Sequence, residues 1–304
     1  DGSIYQYPMG DKNFPPSAKM PANGYFFDAI IRQKKFQESE LNPQDNICDF
    51  KLLSEHELKY IKEEVDRICS STRYAILNSI NNSSFGDIAF IPGLSIGSPR
   101  GIRDIEEWYI SIIKRKDYVK KVFEGQCEIS IENYKRIFEA VGNKIDIVFV
   151  SGTDFGMQQG TFVSKDIYRE LFKPFHTRVN NWIHDNTRWK CFIHTCGSIF
   201  ELMPDFIDAG FEIFNPVQIS AEKMNPEKLK KEFGKYVTFW GGGVDTQKTL
   251  PFRTPEEIKE EVKRLIDIFG RDGGFVFNTV HNIQANVPVE NIAAMIDTVR
   301  EYRK

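Results

Sequence analysis

The sequence predicts an α/β fold with a parallel sheet, and specifically a (β/α)8 barrel of the TIM type. Short apolar segments alternate along the chain with amphipathic helices that carry recognisable caps, which is typical of repeated βα units. The short apolar segments are not followed by a G-x-G-x-x-G turn, which disfavours a dinucleotide-binding doubly wound sheet. About six strands are visible and the chain starts at Asp1. We therefore expect the barrel to lack its N-terminal portion here.

Each element is predicted from a local pattern, and the whole chain, 1–304, is expected to form one barrel domain. The predicted strands are 74–77, 145–150, 191–193, 211–214, 237–240 and 274–280. Capping boxes open helices after Ser54 and Thr254, and Pro174 predicts a bend in a third helix. Further helices are predicted over 103–141, 202–210, 225–234 and from Glu290 onward. Prolines and glycines break any period in residues 1–50, so we expect an irregular packing segment there.

Composition excludes several classes of protein. The chain has 40 Lys and Arg against 43 Asp and Glu, a net charge of −3, which argues against binding a nucleic-acid backbone. Apolar runs fall short of the roughly 18 residues that a membrane span needs. Five cysteines in 304 residues are too few for a disulfide scaffold. We therefore expect a cytoplasmic protein that binds neither nucleic acid nor membrane.

Reactive side chains of a βα barrel lie in the loops after the carboxyl ends of its strands. In this chain those loops are rich in compact polar and ionisable residues. They are predicted at 151–158, 194–198, 215–218, 241–245 and 281–282. Side chains from these loops are therefore expected to converge on one rim.

The pair His194 and Cys196 is the sharpest local feature of that rim. On an extended strand end, residues i and i+2 point to the same face, so an imidazole and a thiolate can reach one point. Nitrogen and sulfur donors of this kind suit Zn²⁺, and His281 after the last strand is the candidate third ligand. Three protein ligands would leave the open position of a catalytic zinc. Spacing alone favours the alternative, a hydrogen-bonded histidine beside a buried thiol.

Other rim residues are candidates for catalysis and substrate binding. Asp154 is interpreted as a general base, a substrate anchor or a helix cap, and it joins His194 and His281 as a catalytic candidate. Asp245 is better read as a cap of the next turn. The candidate substrate-binding residues are Gln158, Asn215, Gln218, Trp240 and Asn278. For Trp240 the alternative is a place in the barrel core.

The stretch from Asp146 to the C-terminus resembles the uroporphyrinogen decarboxylase superfamily, and more narrowly its cobalamin-dependent methyltransferase branch. Five segments in the same order carry the resemblance: Thr-Asp-Phe-Gly-Met-Gln at 153–158, His-Thr-Cys-Gly-Ser at 194–198, Asn-Pro-Val-Gln at 215–218, Phe-Trp-Gly-Gly-Gly-Val-Asp-Thr-Gln at 239–247, and Val-His-Asn-Ile-Gln-Ala-Asn-Val-Pro-Val-Glu-Asn at 280–291. The first half is similar only in outline, at 24–28.

The resemblance implies a (β/α)8 barrel and a zinc site at His194 and Cys196. The third ligand of that branch lies at the last strand end and is often cysteine, where this chain has His281. The implied reaction is methyl transfer between a small O-, N- or S-methylated substrate and a corrinoid (cobalamin) carried by a partner protein, as in an O-demethylase. Asp154 would then position the substrate or take a proton.

Two alternatives stay open at this point. One is a tetrapyrrole carboxy-lyase of the uroporphyrinogen decarboxylase type, although the arginine-rich N-terminal motif of that enzyme has no counterpart in this chain. The other is a non-catalytic subunit that docks a corrinoid protein. The methyl donor, the direction of transfer and the oligomeric state are left open, with a homodimer as one arrangement.

Overall fold

The computed structural model of the protein describes residues 1–81 and 83–302. The chain divides into two compact units. The first unit comprises Asp1–Asp146 and Ile167–Arg188, and the second comprises Ile147–Asp166 and the chain from Trp189 onward. The expectation of a single barrel domain stays a prediction.

The predicted α/β fold with a parallel sheet is confirmed. In the described part of the second unit the larger sheet has five strands in the order β5-β6-β7-β8-β9, which is the order of the chain, whereas β4 lies in the first unit. Neighbouring strands from β5 to β9 pair in parallel. The strands are β4 (Leu77–Asn78), β5 (Ile147–Ser151), β6 (Lys190–His194), β7 (Ile213–Asn215), β8 (Thr238–Trp240) and β9 (Phe275–Val276).

Residues 1–50 contain a second, smaller sheet, so the prediction of an irregular segment was wrong for this part. Three short antiparallel strands form it in the order β1-β2-β3, with bounds β1 (Ile4–Gln6), β2 (Ala18–Met20) and β3 (Asp28–Ala29). Strands of two or three residues are too short to show a period in sequence. The prolines that suggested irregular structure, Pro15 and Pro16, lie in the connection between β1 and β2.

The described residues contain helices before, between and after the strands of the larger sheet. They are α1 (Gln44–Ile47), α2 (Glu55–Ser71), α3 (Ile105–Lys114), α4 (Lys116–Val141), α5 (Lys165–Ile167), α6 (Lys173–Asn186), α7 (Met203–Asp208), α8 (Pro226–Phe233), α9 (Thr249–Phe252), α10 (Pro255–Phe269) and α11 (Val289–Tyr302). Both predicted capping boxes are present, at Ser54 and at Thr254. Within residues 1–81 and 83–302, the helices lack the combined length and apolar character of a bilayer-spanning segment.

Two helical regions differ from the prediction. The single helix expected over 103–141 is interrupted at Arg115, whose φ of −126° and ψ of 46° are not helical. Its guanidinium contacts Glu38 and Glu107, which favours this break. Near Pro174 the chain forms a π-helical turn, Tyr168–Phe172, immediately before α6. Pro174 follows this turn directly within one continuous helical stretch, where it has no N–H to donate to the preceding turn.

The core of the first unit is aromatic. Phe123 packs against Phe172 and Phe175, with ring centroids 5.1 and 5.8 Å apart. His176 is fully buried beside them, and its Nδ1 lies 3.1 Å from the hydroxyl of Tyr168. Burial lowers the pKa of His176 to about 3, because a charged imidazole would lose its hydration in this core.

Buried His176 should make the fold sensitive to mild acid. The ring titrates near 6.5 in an unfolded chain, so between pH 6.5 and 3 the unfolded state binds a proton that the folded state excludes. Its contribution is complete above pH 6.5 and is lost as the pH falls. From pH 7 to 5 it should lower the free energy of unfolding by about 2 kcal/mol. Urea titrations at both pH values measure this difference.

His176→Gln should show a pH-dependent loss that is smaller by about 2 kcal/mol, even if the variant is less stable at pH 7. His56→Gln is the matched control, since His56 is exposed on α2. Equal pH dependence in the wild type and in His176→Gln would contradict the assignment.

Candidate metal centre

Two loops at the carboxyl ends of β5 and β6 build the candidate site, and both belong to the second unit. Hydrogen bonds join them. The backbone N–H of Cys196 donates to Asp154 Oδ1 at 2.7 Å, and that of Phe155 donates to Thr195 Oγ1 at 2.9 Å. The N–H of Ser198 donates to the carbonyl of residue 157 at 2.8 Å. These bonds fix the Asp154 carboxylate against the loop that carries the His-x-Cys pair.

A contact between two glycines lets the loops approach this closely. A Cβ built on Gly197 would lie 2.2 Å from the carbonyl carbon of Gly156, and a Cβ on Gly156 would lie 2.6 Å from the carbonyl oxygen of Cys196. The φ of Gly197 is +83°, which L side chains rarely adopt. Both the backbone conformation and the space therefore require glycine at 197.

Asp154, His194 and Cys196 form one cluster of metal-ligating atoms. An atom from each lies within 4.8 Å of the other two, and all three residues are half-buried. The Nε2 of His194 lies 3.5 Å from the Sγ of Cys196. The i, i+2 spacing at the end of β6 therefore brings both side chains to one point.

The cluster fits zinc by the chemistry of its donors. Zinc accepts imidazole nitrogen, thiolate sulfur and carboxylate oxygen. Oδ1 of Asp154 accepts the N–H of Cys196, which holds the carboxylate in place beside the other two donors. Three protein donors at a half-buried position match a catalytic centre, in which a fourth position faces the substrate.

The environment of Cys196 disfavours a free nucleophilic thiolate. Burial, the negative charge of Asp154 and a hydrogen bond to that carboxylate together raise the pKa of Cys196 to about 12. At neutral pH the thiol then keeps its proton unless a cation compensates the charge. Metal binding at this site would release that proton. The pair is therefore better suited to binding a metal than to cysteine-based acyl transfer.

Asn215 contacts the imidazole from the neighbouring strand. Its Oδ1 lies 2.6 Å from His194 Nδ1, and its Nδ2 donates to the carbonyl of Trp240 at 2.7 Å. The ring of Trp240 packs edge-on against Phe192, with centroids 5.5 Å apart. Substrate binding by Asn215 and Trp240 stays a prediction. In the structure, Asn215 connects the His194 ring to the backbone of Trp240.

The two candidate glutamines form a short chain of hydrogen bonds. Gln218 Oε1 accepts the N–H of Gly197 at 2.8 Å, and Gln218 Nε2 donates to Gln158 Oε1 at 3.0 Å. Gln158 Nε2 in turn donates to the carbonyl of Ser220. These amides link the loop after β7 to the two metal-site loops. Their predicted contact with a substrate stays a prediction.

His281 and Asn278 lie on the chain after β9, and both are exposed. The metal-ligating cluster contains Asp154 where we expected His281. Asp154 joins the cluster because β5 is the strand next to β6, so the loops that follow these two strands are neighbours. Whether His281 reaches a bound metal stays a prediction.

Sequence reasoning interpreted Asp245 correctly and missed two other features. The buried Asp245 caps the following turn, since its Oδ1 accepts the N–H groups of Gln247 and Lys248. Thr195 and the glycine contact were missed. Thr195 could have been found from its position between His194 and Cys196. On a strand end its side chain points to the opposite side from theirs, towards the loop that carries Phe155.

The fold is α/β, and the candidate site lies in the loops after parallel strands, which is where βα-barrel proteins place their reactive residues. The family profile described as uroporphyrinogen decarboxylase (URO-D) matches residues 97–302. The chain belongs to the uroporphyrinogen decarboxylase family.

Individual relatives match over shorter stretches. A uroporphyrinogen decarboxylase of Actinobacillus succinogenes is 33% identical over 81 residues, which are 27% of this chain and 22% of that protein. One of Aliivibrio salmonicida is 34% identical over 82 residues, again 27% of this chain and 22% of that protein. These matches therefore span about a fifth of the length of the relatives.

A solved structure supports the fold. The methyltransferase from Methanosarcina mazei superposes with a TM-score of 0.56, covering 81% of this chain and 64% of that chain at 18% identity. At this identity the similarity shows a shared fold.

The Gly156–Gly197 contact can be tested by substitution. Gly197→Ala should lower the free energy of unfolding by more than about 2 kcal/mol, because it combines a positive φ with a clash against backbone. Thermal unfolding followed by circular dichroism measures the loss.

Gly160→Ala is the control, in the loop after β5 that also carries Gly156, since a Cβ there meets nothing within 4 Å. It should change the stability by less than about 0.5 kcal/mol, as substitutions without a structural penalty do. Similar stability of the Gly197→Ala and Gly160→Ala variants would refute the proposed role of the contact.

Proposed function

We propose that the protein is a zinc-dependent methyltransferase that moves a methyl group between a small methylated substrate and a corrinoid held by a partner protein. The observation that supports this proposal most directly is the Asp154–His194–Cys196 cluster at the strand ends. Family membership supports an enzyme fold, and the fold is shared with the methyltransferase from Methanosarcina mazei.

Each residue of the cluster would have its own role. His194 and Cys196 would bind the metal, and Asp154 would complete the set of donors. When bound, zinc supplies a Lewis acid that stabilises negative charge on the oxygen, nitrogen or sulfur that loses or gains the methyl group. Cys196 would give up its thiol proton as the metal binds. Asp154 would lose much of its capacity as a general base while its charge is shared with the metal.

Aromatic rings beside His194 suit an apolar methylated substrate. Phe149 stacks on Phe192 with centroids 5.4 Å apart, and Phe149 also lies parallel to the His194 ring at 6.5 Å. Trp240 meets Phe192 edge-on. Phe149 thus places an apolar ring alongside the imidazole. An O-, N- or S-methyl group next to an apolar surface is the substrate class that this environment favours.

The sequence relatives of Actinobacillus succinogenes and Aliivibrio salmonicida are uroporphyrinogen decarboxylases, which favours a second candidate, a tetrapyrrole carboxy-lyase. That chemistry needs basic side chains that hold several carboxylates. The rim residues described above are His, Cys, Asp, Asn, Gln and Trp, which carry no permanent positive charge. This set of residues supports the methyltransferase proposal better.

Metal content is the first test of the proposal. The purified protein should bind about one zinc ion per chain. The measurement is elemental mass spectrometry after dialysis against a zinc salt and then against zinc-free buffer. His194→Ala and Cys196→Ser should lose the metal and also lose methyl transfer to cob(I)alamin. A zinc-free wild type that decarboxylates uroporphyrinogen would refute the proposal in favour of the carboxy-lyase.

The third donor can be assigned by a matched pair of variants. Asp154→Asn keeps the acceptor for the N–H of Cys196 but removes the charged ligand, so zinc affinity should fall by more than about 100-fold. His281→Gln should change it by less than about threefold, because His281 lies outside the cluster. Chelator competition measures both constants. A larger loss of zinc affinity in His281→Gln than in Asp154→Asn would identify His281 as the third ligand and exclude Asp154.

A further inference from the structure

Asn215 bridges the metal-site imidazole and the backbone of the next strand. Its Oδ1 lies 2.6 Å from His194 Nδ1, and its Nδ2 lies 2.7 Å from the carbonyl oxygen of Trp240. His194 and Asn215 are register partners at the ends of β6 and β7. The N–H of Thr195 also donates to the carbonyl of Asn215 at 2.8 Å, which fixes the backbone that carries the amide.

The carbonyl of Trp240 determines which way the amide faces. A carbonyl oxygen is an acceptor only, so the group that contacts it must be the NH₂ of Asn215. The amide oxygen then faces His194, and because this oxygen is also only an acceptor, the ring atom that meets it must carry hydrogen. In the neutral imidazole, Nδ1 is thus the donor and Nε2 keeps its lone pair.

We infer that Asn215 is a positioning residue that fixes His194 in the Nδ1–H tautomer and aims the Nε2 lone pair at the metal position. Nε2 lies 3.5 Å from Cys196 Sγ, inside the cluster with Asp154. The part of this inference that concerns metal binding rests on the proposed function. The tautomer itself follows from hydrogen bonds and can be measured without metal.

An amide performs this task better than a carboxylate in this position. Asparagine offers one acceptor to the imidazole and one donor to the Trp240 carbonyl, so both neighbours are satisfied at once. Aspartate would accept from Nδ1–H but would place negative charge against the carbonyl oxygen. Leucine, of similar size, would satisfy neither neighbour. These differences provide a graded series of variants.

The tautomer is read by NMR of the metal-free protein labelled with ¹⁵N-histidine. Long-range ¹H–¹⁵N spectra distinguish the protonated from the unprotonated ring nitrogen, and His194→Gln assigns the signal among the 5 histidines. We expect Nδ1–H in the wild type and in Asn215→Asp, and a mixture dominated by Nε2–H in Asn215→Leu. A wild-type ring protonated on Nε2 would overturn the inference without any variant.

Zinc affinity gives an independent readout by chelator competition. Asn215→Leu should bind zinc roughly 10–100-fold more weakly than the wild type, as loss of a group that orients a metal-ligating histidine does, and Asn215→Asp should recover part of the loss. Ser220→Ala, on the same rim, is the control and should bind as the wild type does. Circular dichroism confirms that each variant is folded.

The outcomes separate the two proposals. A wild type with Nδ1–H that takes up no zinc would refute the zinc-dependent function and would support the role of Asn215 in fixing the ring. A wild type that binds zinc, with Asn215→Leu showing the same tautomer and an affinity within twofold, would refute the role of Asn215 and would support the metal site.

Discussion

The close contact between the loops after β5 and β6 is the constraint on which the candidate site depends. Two glycines, Gly156 and Gly197, meet backbone to backbone, and the N–H of Cys196 bonds to Asp154. This places a carboxylate beside an imidazole and a thiol on one side of a parallel sheet. The close approach of the two loops thus keeps Asp154 within reach of the His-x-Cys pair.

Hydrogen bonds from the ends of the next two strands, β7 and β8, hold the side chains of the candidate site in place. Asn215 at the end of β7 orients the imidazole, and the carbonyl of Trp240 at the end of β8 orients Asn215. Gln218 adds a bond to Gly197, so the loop after β7 supports both sides of the centre. Adjacent parallel strands end at the same edge of a sheet, which is why consecutive strand ends can supply both the ligands and the groups that position them.

Much of the fold follows from local pattern, and the departures have physical causes. Buried parallel strands are nearly continuous apolar runs, so β5 and β6 were visible in sequence. Helices α2 and α10 were visible from their capping boxes. The break at Arg115 and the strands β1–β3 were missed, because long-range ion pairs and two- or three-residue strands leave no periodic signal.

The sequence by itself determined that His194 and Cys196 share a face, since residues i and i+2 at a strand end point to the same side. Tertiary structure alone decided which of the rim residues lies with them as a third donor. Asp154 lies 40 residues before His194 in the chain, and strand pairing brings it into the cluster where His281 was expected. The physical reason is that the hydrogen bond and the glycine contact between the loops after β5 and β6, which no local pattern encodes, decide which rim residue lies beside the pair.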